Sequence, residues 1–446
     1  MEQQHMFTNR MIRNLLVPVV LEQILNSIMG TADTMMVSNV GSAALSAVSL
    51  VDSINVLLIQ AFSALAAGGA IVCAQYIGQR NYEKANMSAR QVLFIITAIS
   101  VVVSAVCLIF QKPLLRLIFG AVDADVMRAS ETYFFFTALS FPFIAAYDSA
   151  ASIFRAQENT KGPMTISMIS NIMNIGGNAV LIWVFHLGVA GAAISTLVSR
   201  IFCAVVVLWQ LRKDRQPVVV RDYLKIRPDW SMIGRILGLG IPSGIENSMF
   251  QLGKLAIQST VSTLGTTAIA AQAMTNIMEM LNGTAVIGVG IGLMTVVGQS
   301  LGAGRKDEAV YYMKKLMIFS EVFLIACCAI VYALAKPITM IGGMEPENAK
   351  MCLDMIFWIT IVKPLVWMPA FIPAYGMRAA GDVKFSMITS CTTMWVFRFC
   401  LCVYLIRVCG MGPMAVWIGM FTDWTVRGIV FSLRFKSEKW MEHRVV

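Results

Sequence analysis

The sequence predicts an all-α integral membrane protein with twelve transmembrane helices, arranged as two parallel six-helix repeats around a central cavity. Three observations predict it. The 446 residues are 57% hydrophobic and only 13% charged, against about 25% charged in an ordinary soluble domain. Apolar runs recur at the length of roughly 20 residues that a bilayer-spanning helix needs. The chain also matches itself when shifted by 224 residues.

The apolar periodicity places helices at 12–39, 44–78, 86–110, 126–147, 163–186 and 190–211. A second set falls at 232–262, 267–301, 309–335, 348–375, 384–407 and 413–434. The first apolar stretch is too long for a cleaved signal peptide, is interrupted by Glu22, and is followed by further spans. If counting starts inside the cell, 24 of the 35 Lys and Arg residues fall on the cytoplasmic side, 6 on the other side and 5 within helices. That bias puts both termini in the cytoplasm of a plasma-membrane protein. It also explains the net charge of +10 without a nucleic-acid partner. The chain divides into an N-terminal lobe (1–211), a cytoplasmic linker (212–231) and a C-terminal lobe with a cytoplasmic tail (232–446). The linker is the most charged stretch and reads as carrying a short amphipathic piece at the interface.

The repeat needs no gap over about a hundred residues. It aligns Pro18 with Pro242, Glu22 with Glu246, Gly41 with Gly265, Gly68 with Gly292, Gln75 with Gln299, and Lys112-Pro113 with Lys336-Pro337. At a shift of 223, Arg155-Ala156 meets Arg378-Ala379 and Lys161 meets Lys384. Six helices per half is an even number, so both halves enter from one side and the repeat is parallel.

The first helix carries Pro18, Glu22 and Asp33. A carboxylate at bilayer depth costs about 2.5–3.5 kcal/mol and should face protein or water. Glu22 and Asp33 lie eleven residues apart, so they share a helix face at a spacing of about 16 Å. Pro18 and its image Pro242 each remove a backbone hydrogen bond and offer a hinge. Between the repeats Asp33 faces Ile257, so this acid exists only in the first lobe. Asn171, Asn174 and Asn178 share a face of the fifth helix, whereas their images Met394, Phe397 and Leu401 are apolar. The first lobe therefore reads as holding a polar cluster that the second lacks. A carboxylate with amide and hydroxyl oxygens suits a proton or a hard cation such as sodium. The bland alternative is polar residues that merely join helices. Glu22, Glu246, Asp52-x-x-Asn55 and Asn276-x-x-Glu279 form a second acidic set that would line the cavity, with Lys254 as a neutraliser of Glu246.

In several motifs the chain resembles the multidrug and toxic compound extrusion (MATE) family over nearly its whole length. These are Pro18 and Asp33, the Val40-Gly41 turn, Gln75-Tyr76-Ile77-Gly78 with its partner Gln299-Ser300-Leu301-Gly302, the 155–161 and 378–384 loops, Asn171-x-x-Asn174-Ile175, and Gly188-Val189-Ala190-Gly191-Ala192-Ala193. The resemblance implies a monomeric antiporter that expels small, often cationic or amphipathic, organic compounds in exchange for protons or sodium, with membrane lipids around it. It carries a coupling site onto Asp33, Asn174, Asn178 and Thr196, with Tyr133 nearby. Asn178 stands where relatives often have aspartate, so proton and sodium both stay open. No cofactor is implied beyond a bound sodium ion. A lipid-linked oligosaccharide flippase of related fold is the alternative. The intramembrane acids speak against it, since flippases tend to have basic cavities.

Other chemistry finds little support. Gly298 to Lys306 imitates a phosphate loop, but its glycine and lysine positions are wrong and no strand precedes it. The ten cysteines are scattered among apolar runs and the three histidines are far apart. No nucleophile or metal constellation argues for an enzyme. The 31 methionines suit surfaces that repack around different ligands, although any one of them is more simply apolar filler.

Overall fold

The computed structural model describes residues 5–120, 122–213, 216–443 and 445–446; the side chains of Met29, Thr31, Asp33, Thr34 and Leu224 are outside the description. Among the described residues every regular element is helical. Among these residues nine helices are long and apolar enough to cross a membrane, or ten if one bent pair counts as a single span. The chain forms two compact units, one of Asn9–Gly244 and one of Ile245–Val445 together with the N-terminal segment ending at Thr8.

The first unit contains α1 (Asn9–Ser38), α2 (Ser42–Gly78), α3 (Tyr82–Ile109), α4 (Gln111–Phe119), α5 (Ala124–Leu139), α6 (Phe141–Ala156), α7 (Lys161–Asn178) and α8 (Val189–Leu211). Asn81 caps α3 by accepting from the Lys84 N–H at 3.1 Å. The short α4 was not visible as apolar periodicity. It buries Leu115, exposes Leu117 and Ile118, and carries Lys112 and Arg116, the composition of a helix lying at an interface. The expected fourth span, 126–147, is α5 plus α6, which run on to Ala156 and bend by 42°. Pro142 opens α6 without an N–H to donate back. Arg200 donates to the Ser140 hydroxyl at this bend, at 2.7 Å. Beyond α7 the chain widens into a π-helical turn, Ala179–Val184.

Within the linker, residues 216–229 form an extended strap with one 3-10 turn, Tyr223–Lys225. Pro217 and the β-branched run 218–220 favour extended backbone. Val218 and Val220 are buried. Backbone N–H groups of Val218, Val219 and Asp229 donate to Gln157, Asn86 and Gln91 at 2.9, 2.8 and 3.1 Å. The beginning of α9 (Trp230–Val261) packs on α2. A Cβ on Gly68 would lie 2.6 Å from the Gly240 backbone nitrogen, and one on Gly240 would lie 2.9 Å from the Leu65 Cα. Only glycine lets the two backbones meet so closely.

The second unit contains the rest of α9, α10 (Thr266–Gly302), α11 (Lys306–Ile341), α12 (Pro346–Ala379), α13 (Val383–Thr392), α14 (Leu401–Arg407) and α15 (Met414–Lys436). A π-helical segment, Thr393–Cys400, joins α13 to α14. The N-terminal segment docks on α11. His5 stacks on Tyr311 with ring centroids 4.4 Å apart, and Phe7 meets Tyr312 edge-on at 5.4 Å. The Phe7 N–H donates to the Tyr312 hydroxyl at 2.7 Å, and the Met6 N–H donates to Glu308 at 2.8 Å.

Candidate transport sites

In the first unit, Glu22 of α1 is buried against α6 and α7. Arg155 of α6 donates to both its carboxylate oxygens at 3.1 and 3.3 Å, and the Tyr147 hydroxyl donates at 3.4 Å. In the second unit Glu246 of α9 meets Arg378 of α12 at 2.7 Å and accepts from the Ser386 hydroxyl at 3.3 Å. The two pairs are images under the repeat. Arg378, not Lys254, therefore neutralises Glu246. Lys254 lies two turns further along α9, over the Phe250 ring at 5.0 Å. Pro18 and Pro242 both fall inside helices, one turn before these acids.

The other first-unit residues gather in small groups. Asn55 and Tyr133 both donate to one oxygen of Asp52, at 3.1 and 3.2 Å. Tyr133 thus joins Asp52, a residue assigned from sequence to the cavity set. The Asn174 amide donates to the Thr196 hydroxyl at 3.3 Å, and Ser195 donates to the Asn174 carbonyl at 2.8 Å. This brings two of the expected coupling residues together across α7 and α8. Asn178 is fully buried at the end of α7. Asn171 and Ser167 converge instead on Asn26 of α1, at 2.7 and 2.9 Å. Position 33 lies on α1, two turns beyond Asn26, but its side chain is outside the described residues. Sequence reasoning passed over Asp148 of α6, whose carboxylate accepts from Ser63 at 2.5 Å.

The expectation that the second repeat lacks a polar cluster is overturned. Glu279 of α10 is 2.5 Å from Lys363 of α12, and the same ammonium donates to the Glu279 carbonyl at 3.0 Å and to Asn282 at 2.5 Å. Asp423 of α15 accepts from Arg427 at 3.0 Å and lies 3.8 Å from Arg398. Asn276 accepts from Gln272 at 3.2 Å, and the Gln272 side-chain oxygen accepts from the Trp417 indole at 3.0 Å. Lys363 and Asp423 are both 0% exposed. The images of the asparagines, Met394, Phe397 and Leu401, are indeed apolar. The polarity comes from the neighbouring Arg398, which the π-helical segment carries, and from α10, α12 and α15. The signal was present in the sequence as four of the five basic residues inside helices: Lys254, Lys363, Arg398 and Arg427.

Comparison with known proteins puts these sites in context. The MatE family pattern matches residues 18–180 and again 242–404, one copy per repeat. The uncharacterized transporter YisQ of Bacillus subtilis is 26% identical over 434 residues, covering 95% of this chain and 93% of that protein. The probable multidrug resistance protein NorM of Thermotoga maritima is 23% identical, covering 97% and 93%. Multidrug and toxin extrusion protein 2 of Mus musculus is 22% identical, covering 95% and 73%. Among solved structures, a MOP superfamily transporter from Pyrococcus furiosus, described as having a binding pocket of reverse polarity, superposes with a TM-score of 0.90 at 18% identity over 98% of this chain and 97% of that one. A MATE transporter in a bent conformation gives 0.87 at 19% identity over 96% and 95%.

Proposed function

The chain belongs to the MatE family of membrane transporters, and on that premise we propose that it is a secondary active antiporter exporting small organic compounds against a proton or sodium gradient. Members of this family are transporters and not enzymes, and several relatives are named as probable multidrug resistance proteins. The coupling role is supported by the meeting of carboxylate, amide and hydroxyl groups in the first repeat. Asp52 with Asn55 and Tyr133, and Asn174 with Thr196, offer hard oxygen donors there. Asp33, whose image in the second repeat is Ile257, supplies a further carboxylate. We assign to it alternate loading and release of the coupling ion, with Pro18 as the hinge of α1. Both termini and the linker are cytoplasmic in this proposal.

One observation favours the second reading, a lipid-linked glycan flippase. The argument against it was the intramembrane acids. Yet Glu22, Glu246, Glu279 and Asp423 all sit on Arg or Lys partners and present no free negative charge.

The test is transport in proteoliposomes under an imposed proton or sodium gradient with no nucleotide. Wild-type protein should move substrate, and Asp33→Asn should insert normally but lose the gradient dependence. Coupled efflux at the wild-type rate by Asp33→Asn at matched incorporation would show that the acid is structural. A strict requirement for ATP hydrolysis would remove the antiport reading altogether.

A further inference from the structure

In the second unit four cations gather around two carboxylates: among the described residues, Lys363 contacts Glu279, Arg427 contacts Asp423, Arg398 lies near Asp423, and Lys254 shares the Phe250 ring with Arg398. The strong contacts use both acids up: Lys363 takes Glu279 at 2.5 Å and Arg427 takes Asp423 at 3.0 Å. Arg398 is left with Asp423 at 3.8 Å, outside hydrogen-bond range, and its Nε and Nη1 have no hydrogen-bond partner although the residue is only 4% exposed. Lys254 makes no ion pair among the described residues. The Lys254 side chain is exposed, and that of Glu279 is one-fifth exposed.

Aromatic rings organise the cluster. Phe250 lies 5.0 Å from the Lys254 ammonium, 5.2 Å from the Arg398 guanidinium and 5.9 Å from that of Arg427. Trp367 and Phe371 stack on each other at 4.8 Å alongside Lys363 and Arg427. A buried guanidinium with unsatisfied donors at bilayer depth is costly and persists where it has a partner to receive. Its planar fork of donors matches a carboxylate or phosphate.

We infer that this cluster is a binding site for an amphipathic organic anion, with Arg398 and Lys254 holding the acidic group and Phe250 packing on its apolar body. The ligand would then be opposite in charge to the organic cations that the sequence suggested. The inference deepens the export reading and rests on it for the passage of substrate across the membrane, although the binding itself needs no gradient. The same acidic chemistry could come from a soluble aromatic carboxylate or from an anionic lipid headgroup.

The experiment is equilibrium binding to the full-length protein in nanodiscs. One arm measures radiolabelled 2-naphthoate in discs of phosphatidylcholine alone, with a naphthylmethyl-trimethylammonium cation of similar size as the control. The other arm counts phosphatidylglycerol retained by the protein from mixed lipid. Naphthoate should bind at least tenfold more tightly than the cation, or phosphatidylglycerol should be retained above its bulk share. Either signal should fall at least tenfold in Arg398→Gln and in Lys254→Met. Lys254→Met removes no contact that holds the fold, so it decides the matter even where Arg398→Gln is poorly folded. A signal in the first arm assigns a soluble anion and a signal in the second assigns a headgroup. Unchanged binding in Lys254→Met, or a cation bound as tightly as the anion, overturns the inference. Because no gradient is applied, anion binding without coupled transport would count against the export proposal alone.

Discussion

The Glu22–Arg155 contact makes a quantitative prediction. Glu22 is 3% exposed and the Arg155 side chain 20%, and the charges meet at 3.1 Å. At an effective dielectric of about 20, the gross attraction at that distance is roughly 5 kcal/mol. Most of it offsets the desolvation of the two ions, so the pair as a whole contributes little net stability. Removing one partner leaves the other charge buried alone, which costs about 3–5 kcal/mol. Glu22→Gln and Arg155→Gln should therefore each destabilise the purified protein by about that amount. The double variant should be no less stable than either single one, giving a coupling of at least ~3 kcal/mol. Denaturant unfolding in mild detergent, followed by tryptophan fluorescence, measures all four corners of the cycle. Glu22→Gln at wild-type stability, with only its preference among organic compounds changed, would refute this argument. It would return Glu22 to the role of cavity acid that its sequence position suggested.

Three further outcomes are expected. Lys363→Met strands Glu279 and Asn282 together and should lower stability by about 3–5 kcal/mol, whereas Lys363→Met with Glu279→Gln should recover most of it; the same unfolding assay reads both. Gly68→Val forces a side chain into the Gly240 backbone, which no rotamer relieves, and should cost at least about 1–3 kcal/mol, seen as reduced yield of monodisperse protein in size-exclusion chromatography. A cysteine placed at Arg221 of the strap, in a background without reactive native thiols, should react with an impermeant maleimide only after the cells are opened. Labelling of intact cells would invert the proposed orientation.

Much of the fold was legible because its signals are local. Apolar length located the spans, and the positional register of Pro18 with Pro242 and Glu22 with Glu246 revealed the duplication. The site was less legible because its contacts depend on how helices are rotated. Arg155 and Arg378 could be aligned with each other, but nothing local tied them to Glu22 and Glu246, 133 and 132 residues away. The images of Asn171, Asn174 and Asn178 are apolar, and nothing local showed that Arg398 beside them points its charge at Asp423. Lys363 was hidden for a different reason. Its partner Glu279 was noticed as an acid, and an acid seen alone suggests a site, whereas the same acid seen with its cation suggests a brace. In the strap formed by residues 216–229 the charges stood out in the sequence, whereas Val218 and Val220 carry the burial.

The duplicated Glu–Arg pair also bears on how the chain is made. In each repeat the glutamate emerges in the first helix and its arginine only in the fourth, 133 residues later in one case and 132 in the other. At a synthesis rate of about 5–20 residues per second, the carboxylate waits roughly 7–27 s for its partner. During that interval the first helix holds a charge that the bilayer disfavours. The helix must then stay near the translocation channel or the headgroup region, or carry its glutamate protonated, until the arginine arrives. Each repeat has the same delay built into it, so the clock for settling the membrane topology is set twice, once by Arg155 and once by Arg378.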